Sequence, residues 1–515
     1  MDRRTFLHYA GAVTTIAGCH NLIAQTLPNS SVQLSLSERK STLKIPLTYT
    51  GLSYELAQLT DPYFFSASNH DLVAYFRLLS PHGVLRIGGN SSEFCWFKAN
   101  ASTPEPKLHL PTNNLDANWM PHELFAIMPA AIDSLADFIK VTGWHLIYGI
   151  NFGNNSPEKA AVEAAYVAQK MGDQLEFFQI GNEPDFYHDP NNGTRPRSWG
   201  FSDYMKEWTA YAEAIIEKVP KARFGGPDVG ASSEWVTRFD QEVSTRLGSR
   251  VLAVTGHYYA QGPPNDPHVT IKRLLNGDPY ITNRVKSIVA SARSHGRIYR
   301  MTEGNSCYRG GKPGMSNAFA SSLWVADYML HLADLGCAGV NLHGGSSNFL
   351  IASLGGHTPG VEGATHPQAV RGGFYTPISS EPSKEIKAMP IFYGMMLANQ
   401  FAGCTLLDVN GNMQSLNATA YAVKHEHGFK IAFFNKDELN AIDLSIQVPR
   451  SAKNIIVWRM QAPALDSTEE VSFGGAEILA HAKWKPKTNE TVKIKNGIST
   501  IQVPAASAIL LFLNN

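Results

Sequence analysis

Two short stretches carry a carboxylate at the point where an apolar run gives out. Phe177–His188 reads FFQIGNEPDFYH, and Gly296–Asn305 reads GRIYRMTEGN. In the first, the run stops at Gly181 and is followed by Asn182, Glu183 and Pro184. A carboxylate on the end of a rigid, buried strand can deliver a proton or attack an electrophile. Two such groups facing each other across a ligand, Glu183 and Glu303, can do both in turn. Glycoside hydrolysis needs that pair. One carboxyl acts as acid and then base. The other attacks the sugar and forms a covalent ester, with the two held about 5–5.5 Å apart when configuration is retained. The acid must stay protonated near neutral pH, so burial or its neighbour must raise its pKa. A lone glutamate at a strand end is also a common helix cap or surface group. The elements that position the pair decide between these readings.

Eight short apolar runs alternate with longer amphipathic stretches. They are TGLSYELAQL (50–59), GVLRIGGN (83–90), WHLIYGINFG (144–153), LEFFQIGNEP (175–184), ARFGGPDVG (222–230), VLAVTGHYYA (251–260), GRIYRMTEGN (296–305) and CAGVNLHGG (337–345). Near-continuous apolar character is what a parallel strand buried on both faces requires. The stretches between them read as helices. SNHDLVAYFRLLSPHG has a capped start and a Pro/Gly stop, and Ser156-Pro157 opens PEKAAVEAAYVAQKMG. Eight β-α units in series predict an α/β fold, a (β/α)8 TIM barrel over residues 48–403. A doubly wound sheet would want a glycine-rich phosphate turn after an early strand, and Gly88-Gly89-Asn90 is a poor one. After residue 404 the pattern turns to β-branched runs such as NIIVWRM and STIQVPAASAILLFL. They predict a C-terminal β-sandwich over residues 404–515, joined by a strand from residues 28–47 (SVQLSLSE). Gly344 to about Lys384, rich in Gly, Ser and Pro, is expected to lie over the catalytic face as a long loop.

Barrel active sites form at the C-terminal ends of the strands. In order, those ends present Glu55; Arg86, Asn90 and Glu93; Asn151; Asn182 and Glu183; Asp228; His257, Tyr258 and Tyr259; Glu303; and Asn341 and His343. Runs four and seven sit on opposite sides of the mouth, so Glu183 and Glu303 can face each other. Neighbours on a strand point to opposite sides. Of the two tyrosines, Tyr259 is expected in the site and Tyr258 in the core. Arg86 is expected to brace carboxylates. His257 and His343 remain open between site and structure.

The totals bound the rest. In 515 residues, Lys+Arg and Asp+Glu both come to 44. There is no basic field for nucleic acid and no acidic tail. The N-terminus, MDRRTFLHYAGAVTTIAGCHNLIAQ, carries Arg3-Arg4 ahead of a short apolar run and resembles a twin-arginine export signal over about residues 1–27. A periplasmic or extracellular destination follows. Ile16-Ala17-Gly18-Cys19 also fits a lipoprotein cleavage box, so lipid anchoring at Cys19 and simple cleavage both stay open. The apolar run is too short to span a bilayer. Cys95, Cys307, Cys337 and Cys404 fit no zinc spacing, and buried free thiols are expected. No metal or cofactor is expected, because no His-x-x-x-His or clustered Asp/His motif lies near the strand ends.

These motifs together resemble the clan A retaining glycosidases, and more closely glycoside hydrolase family 79, the heparanase and β-glucuronidase family. The chain looks most like a bacterial exo-β-glucuronidase. Leu85-Arg86-Ile87-Gly88-Gly89 with Phe94, His257-Tyr258-Tyr259, and Glu303 followed by Tyr308-Arg309-Gly310-Gly311 carry the likeness. The resemblance implies that Glu183 is the acid/base and Glu303 the nucleophile. Asn182 would bond the sugar 2-hydroxyl, and Tyr259 would donate to Glu303. Tyr308 and the backbone N–H groups of Gly310 and Gly311 would hold a substrate carboxylate. Consecutive glycine N–H groups can form an anion nest, and Lys312 could add charge. Glu55 would accept from sugar hydroxyls at the non-reducing end. Gly310-Gly311 as a plain flexible turn is the bland alternative.

No long Lys/Arg cluster flanks these motifs, which favours an exo-acting enzyme on a terminal β-linked glucuronate over an endo-acting heparanase- or hyaluronidase-like one. A relative taking neutral sugars, a xylosidase or arabinofuranosidase, would have no use for the nest. A non-catalytic carbohydrate-binding protein would be expected to lack one of the two glutamates. The partner is therefore a carbohydrate with a terminal uronic acid, and a monomer is expected.

Overall fold

A computed structural model of the chain describes residues 30–514 except 41, 109–119, 190–192, 357–372, 382–383, 414, 449–453 and 488–489. The export segment and Cys19 lie outside the described residues. After β1 (Ser30–Glu38) come eight strands: β2 (Thr50–Glu55), β3 (Val84–Gly88), β4 (His145–Ile150), β5 (Leu175–Ile180), β6 (Phe224–Val229), β7 (Val251–Gln261), β8 (Ile298–Cys307) and β9 (Val340–Gly344). They close into a parallel barrel in chain order, with β9 returning to β2. Each coincides with one of the eight apolar runs. β2, β3, β6 and β9 are buried at every position, as strands covered by helices outside and side chains inside must be.

The helices are α1 (His70–Leu79), α2 (Pro129–Thr142), α3 (Pro157–Met171), α4 (Phe201–Lys218), α5 (Ser233–Arg246), α6 (Ile271–Leu275), α7 (Pro279–Ser294), α8 (Phe319–Asp334), α9 (Ser347–Ser353) and α10 (Pro390–Asn399). Their starts follow local chemistry. Asn69 accepts from Leu72 N at 3.4 Å to open α1, and Pro157 follows the capping Ser156 in α3. The expected long loop after β9 is helical over α9 in its described part.

The C-terminal strands are β10 (Thr405–Gly411), β11 (Ala418–His425), β12 (Gly428–Asn435), β13 (Ile442–Gln447), β14 (Asn454–Gln461), β15 (Ile498–Val503) and β16 (Ser507–Asn514). They form the β-sandwich. β1 enters it between β10, antiparallel, and β13, parallel. Alternation decides its faces: Leu444, Ile446, Ile501 and Val503 point in with Val32 and Leu34, while their neighbours point out. α8 is buried on nearly all sides because it lies between barrel and sandwich. There Asp327 accepts from Thr419 Oγ1 and Tyr421 OH, both at 2.7 Å, and pairs with Lys436 Nζ at 2.5 Å. Cys95, Cys307, Cys337 and Cys404 are buried free thiols. Among the described residues no helix is long and apolar enough to cross a membrane.

One buried acid couples this fold to pH. Glu163 of α3 is buried against β4 and accepts from Tyr148 OH at 2.8 Å. Burial pushes its pKa up to about 7, outweighing that hydrogen bond. The folded value lies above the unfolded one, so the fold favours the protonated acid. Its contribution is fully present below about 4.5 and is lost as pH rises through about 7. Glu163→Gln mimics the neutral acid. It is expected to match the native protein near pH 4.5 and to exceed its stability at pH 8 by about 2 kcal/mol, as read by denaturant unfolding at both pH values.

Candidate active site

The mouth of the barrel is organised by Arg86, which rises from β3 and is 1% exposed. Its Nη1 donates to Glu303 Oε2 at 2.6 Å, and its Nη2 to Asp228 Oδ2 at 2.6 Å and Asn182 Oδ1 at 2.7 Å. Nε donates to Gln179 Oε1 at 3.1 Å. One guanidinium thus ties the ends of β5, β6 and β8 to β3. The glycine pair beside it is a steric necessity. A Cβ on Gly88 would sit 2.4 Å from the Arg86 guanidinium carbon. One on Gly89, whose φ is +71°, would sit 2.4 Å from Glu55 Oε2.

Glu183 and Glu303 face each other. One oxygen of each, with a ring nitrogen of His257, lies within 4.8 Å of the others. Glu303 accepts from Tyr259 OH at 2.7 Å and from Arg86, with His343 Nδ1 at 3.7 Å. Glu183 meets His257 Nδ1 at 2.9 Å. His257 Nε2 is 3.1 Å from Asp228 Oδ1, off-line for a hydrogen bond and so an ion-pair contact.

These surroundings drive two glutamates apart. For Glu303, burial favours the neutral form, but the charges of His343, His257 and Arg86 and the Tyr259 hydroxyl outweigh it and hold its pKa down at about 2. For Glu183, burial wins over the His257 hydrogen bond and charge, and Glu303 and Asp185 add to it, so its pKa is raised. Asp228 is held ionised: the His257 and Arg86 charges overcome its burial. Burial opposes the charge on His257, but Asp228 and Glu303 raise it to about 10. The Glu183–His257–Glu303 trio is compact enough to ligate a cation. A charged imidazolium, however, has no lone pair to offer one.

Backbone strain and its braces set the aim of Glu183. It sits at φ 49°, ψ 49°, in the left-handed region, with its N–H on the carbonyl of Asp228, itself at φ 62°. Such conformations persist only where surroundings over-determine them. Asp185 accepts from the backbone N–H of Gly230, Ala231 and Ser232, each at 2.9 Å, locking the β5 end to the β6 end. Buried Glu93 accepts from Asn182 N at 2.7 Å, Phe152 N at 2.9 Å and Gly153 N, locking it to the β4 end.

A cavity of about 540 Å³ opens over these groups. Of the residues singled out in the sequence, Glu55, Asn182, Glu183, Tyr259, Glu303, Tyr308 and His343 line it. His343 Nε2 is 3.2 Å from Glu55 Oε1. His257 lies beneath the pair and acts on it from below. Tyr258 points away from the two glutamates, its hydroxyl on Asp278 Oδ2 at 2.7 Å, although its ring reaches the rim. Gly310, Gly311 and Lys312 do not reach the lining among the described residues. Lys312 Nζ donates to the Val269 carbonyl at 2.7 Å, so its charge is spent on the loop after β7. Gly311, at φ +88°, is where the loop packs on Ser316 and Tyr375; a Cβ there would lie 2.8 Å from each.

The site also holds residues to which the sequence assigns no role. Asp228, named only as a strand end, is 1% exposed and pairs with Arg86 and His257. Tyr375, whose ring lies 6.2 Å from that of Tyr259, comes from the chain after β9, where no spacing rule points to it. Asn90 donates to the Ser353 carbonyl at 3.3 Å and accepts from Asn182 Nδ2 at 3.3 Å, so α9 closes the Glu55 end.

Residues 420–510 match the glycosyl hydrolase family 79 C-terminal beta domain. The chain is 24% identical to a beta-glucuronidase of Aspergillus niger over 98% of both chains, and 25% identical to one of Neurospora crassa over 76% of both. Its fold is similar to that of a 4-O-alpha-L-rhamnosyl-beta-D-glucuronidase from Fusarium oxysporum 12S, with a TM-score of 0.70 and 16% identity over 93% of this chain and 100% of that one. A family 51 arabinofuranosidase from Xanthomonas axonopodis pv. citri also superposes, with a TM-score of 0.61 and 14% identity over 94% and 100%.

Removing Arg86 tests how much of this geometry hangs on it. Arg86→Met leaves Asp228 and Glu303 buried without their shared partner. The expected cost is about 3–5 kcal/mol in unfolding free energy, measured by denaturant titration near neutral pH.

Proposed function

We propose, for a chain that is a glycoside hydrolase of family 79, that it is a retaining exo-β-glucuronidase acting by double displacement. The observation that carries the mechanism is the divergence of two glutamates held within 4.8 Å. Glu303, held ionised, is the nucleophile. Glu183, kept protonated by burial, is the acid and then the base. The His257 Nδ1–H occupies Oε1 of Glu183, which leaves Oε2 to carry the proton toward the leaving-group oxygen. The spacing supports retention, since an inverting enzyme needs roughly 6.5–9.5 Å for a water. Tyr259 and Arg86 hold both oxygens of Glu303 and fix its line of attack.

For the sugar, support comes from the β-glucuronidases that match 98% and 76% of the chain and from Tyr308 and Arg309 at the cavity wall. Tyr308 is the group assigned to the substrate carboxylate, with Arg309 the nearby cation. Exo action is supported by the wall that Asn90, Ser353 and Leu354 make beside Glu55. Asn182, pinned by Arg86, presents its amide to the sugar 2-hydroxyl.

The direct test is hydrolysis of p-nitrophenyl β-glucuronide and β-glucoside side by side, with Glu303→Gln as control. Preference for the glucuronide of at least a hundredfold, lost in the variant, is expected. Equal use of the glucoside would overturn the uronate assignment. Proton NMR of the first product formed is expected to show the β-anomer, and an α-anomer would overturn retention.

A pH profile tests the charge on His257. That charge lowers the pKa of both glutamates. Removing it must raise both. His257→Asn is therefore expected to move both limbs of the kcat/KM profile to higher pH, with a rate loss of roughly a hundredfold. A profile that keeps its limbs would mean that His257 is neutral in the free enzyme.

A further inference from the structure

Asp185 stands two residues past Glu183 on the same tight turn, is buried, and does not line the cavity. Its carboxylate accepts from three consecutive backbone N–H groups, those of Gly230, Ala231 and Ser232, each at 2.9 Å. These residues lead into α5, whose first turn Ser232 caps by accepting from Trp235 N at 3.2 Å. The carboxylate therefore lies in a nest of oriented donors at the positive end of a helix. Backbone dipoles meet its charge, and no cation pairs with it among the described residues.

The loop that Asp185 holds is also the surface on which the Glu183 carboxyl rests. A Cβ added to Gly230 would sit 2.9 Å from Glu183 Oε1 and 2.3 Å from Phe186 Cε2. Gly230 thus donates to Asp185 through its N–H and packs its α-carbon against the carboxyl of Glu183. The backbone of Glu183 is already fixed. Its N–H is on the Asp228 carbonyl, and its carbonyl accepts from Phe186 N, both at 2.9 Å. What is left to aim is the side chain, and Gly230 and His257 flank it.

Charge follows the same geometry. Around Glu183 stand His257 and Tyr259 of β7, Asp228 of β6 behind the imidazole, Glu303 of β8, and Asp185 on its own turn. Buried Tyr204 of α4 lies in the field of Asp185 and Asp228. Of these groups, Glu303 and Asp185 add their charge to burial in favouring the protonated form of Glu183. We infer that Asp185 is the positioning residue of the acid: it holds residues 230–232 against Glu183 and so sets how poor a leaving group the site can expel. The inference rests on the proposed role of Glu183 and adds to it a residue outside the cavity lining. A leaving group that is stable as an anion departs without a proton. One that is not stable needs Glu183 protonated and in line. Loosening the clamp penalises the second far more than the first, whereas a general loss of structure lowers both alike.

The test is kcat/KM, which reports the step that expels the leaving group, for dinitrophenyl and phenyl β-glucuronide. Native protein, Asp185→Asn, Asp185→Glu and Glu183→Ala are compared. Asp185→Asn keeps the size of the side chain and removes its charge and one acceptor. It is expected to lose about a hundredfold on the phenyl substrate and only about threefold on the dinitrophenyl one. Asp185→Glu, which keeps both acceptors at a changed reach, is expected to lie between, and it carries the comparison should Asp185→Asn not fold. Both substrates are read on one preparation, so an inactive fraction cancels in their ratio. A native ratio in the Asp185 variants, with an altered one in Glu183→Ala, overturns the inference and leaves the acid assignment standing. A native ratio in Glu183→Ala overturns that assignment, and the inference falls with it. Should the protein prefer β-glucosides, the same pair of glucosides is used, so the sugar assignment fails separately. The pH profile gives a second reading. Loss of the Asp185 charge lowers the pKa of Glu183, the opposite of loss of the His257 charge. The alkaline limb is therefore expected to move to lower pH in Asp185→Asn, and an unmoved or raised limb would overturn the electrostatic half of the inference.

Discussion

The structure turns on a buried guanidinium. Arg86 is almost wholly enclosed, and a charge so placed persists only when it is paired and fully hydrogen-bonded. It meets that condition by drawing Glu303, Asp228, Asn182 and Gln179 onto itself from three other strands. The requirement is mutual. Without the arginine, two buried carboxylates would repel each other, and one would take up a proton. With it, both remain anions. The arginine therefore stabilises the barrel mouth and at the same time keeps Glu303 ionised.

The same centre explains how one residue type is driven to two opposite charge states. Glu303 lies inside the positive cluster, between Arg86, His257 and His343, and feels their charge more than its own burial. Glu183 stands one step outside, its carboxyl hydrogen-bonded to His257, and desolvation prevails. Asp228 completes the arrangement. It contributes the charge that keeps His257 protonated, and the protonated ring then keeps its hydrogen bond on one oxygen of Glu183. The two glutamates differ through neighbours contributed by β3, β6, β7 and β9. Neither glutamate's own stretch of chain encodes the difference.

That division marks what could be read from the chain. All eight barrel strands were legible, because a strand buried on both faces must be near-continuously apolar and most of the runs end in Gly, Asn, His, Glu or Asp. Glu183, Glu303, Asn182 and Tyr259 were legible for the same reason: strand ends point at one place. The bracing role of Arg86 followed from its position among carboxylates. Gly310, Gly311 and Lys312 illustrate the converse. Their types suit an anion, but the loop carrying them folds back onto Ser316, Tyr375 and Val269, a tertiary choice that no local pattern reveals. Tyr375, Arg284 and Ser353 enter the cavity from helices and from chain beyond the strands, where neither spacing nor periodicity announces a site.

Strain at the two key turns has its own logic. Glu183 and Asp228 both adopt left-handed backbone, which an L residue with a side chain resists. Each is held by the other through the hydrogen bond from Glu183 N to the Asp228 carbonyl. Asp185 and Glu93 clamp the flanking peptides with six backbone hydrogen bonds between them. Two further acids, neither of them lining the cavity, are thus committed to holding the first in an unfavourable conformation. Buried carboxylates saturated by backbone N–H groups are stiff, and that stiffness keeps one oxygen of Glu183 within 4.8 Å of one of Glu303.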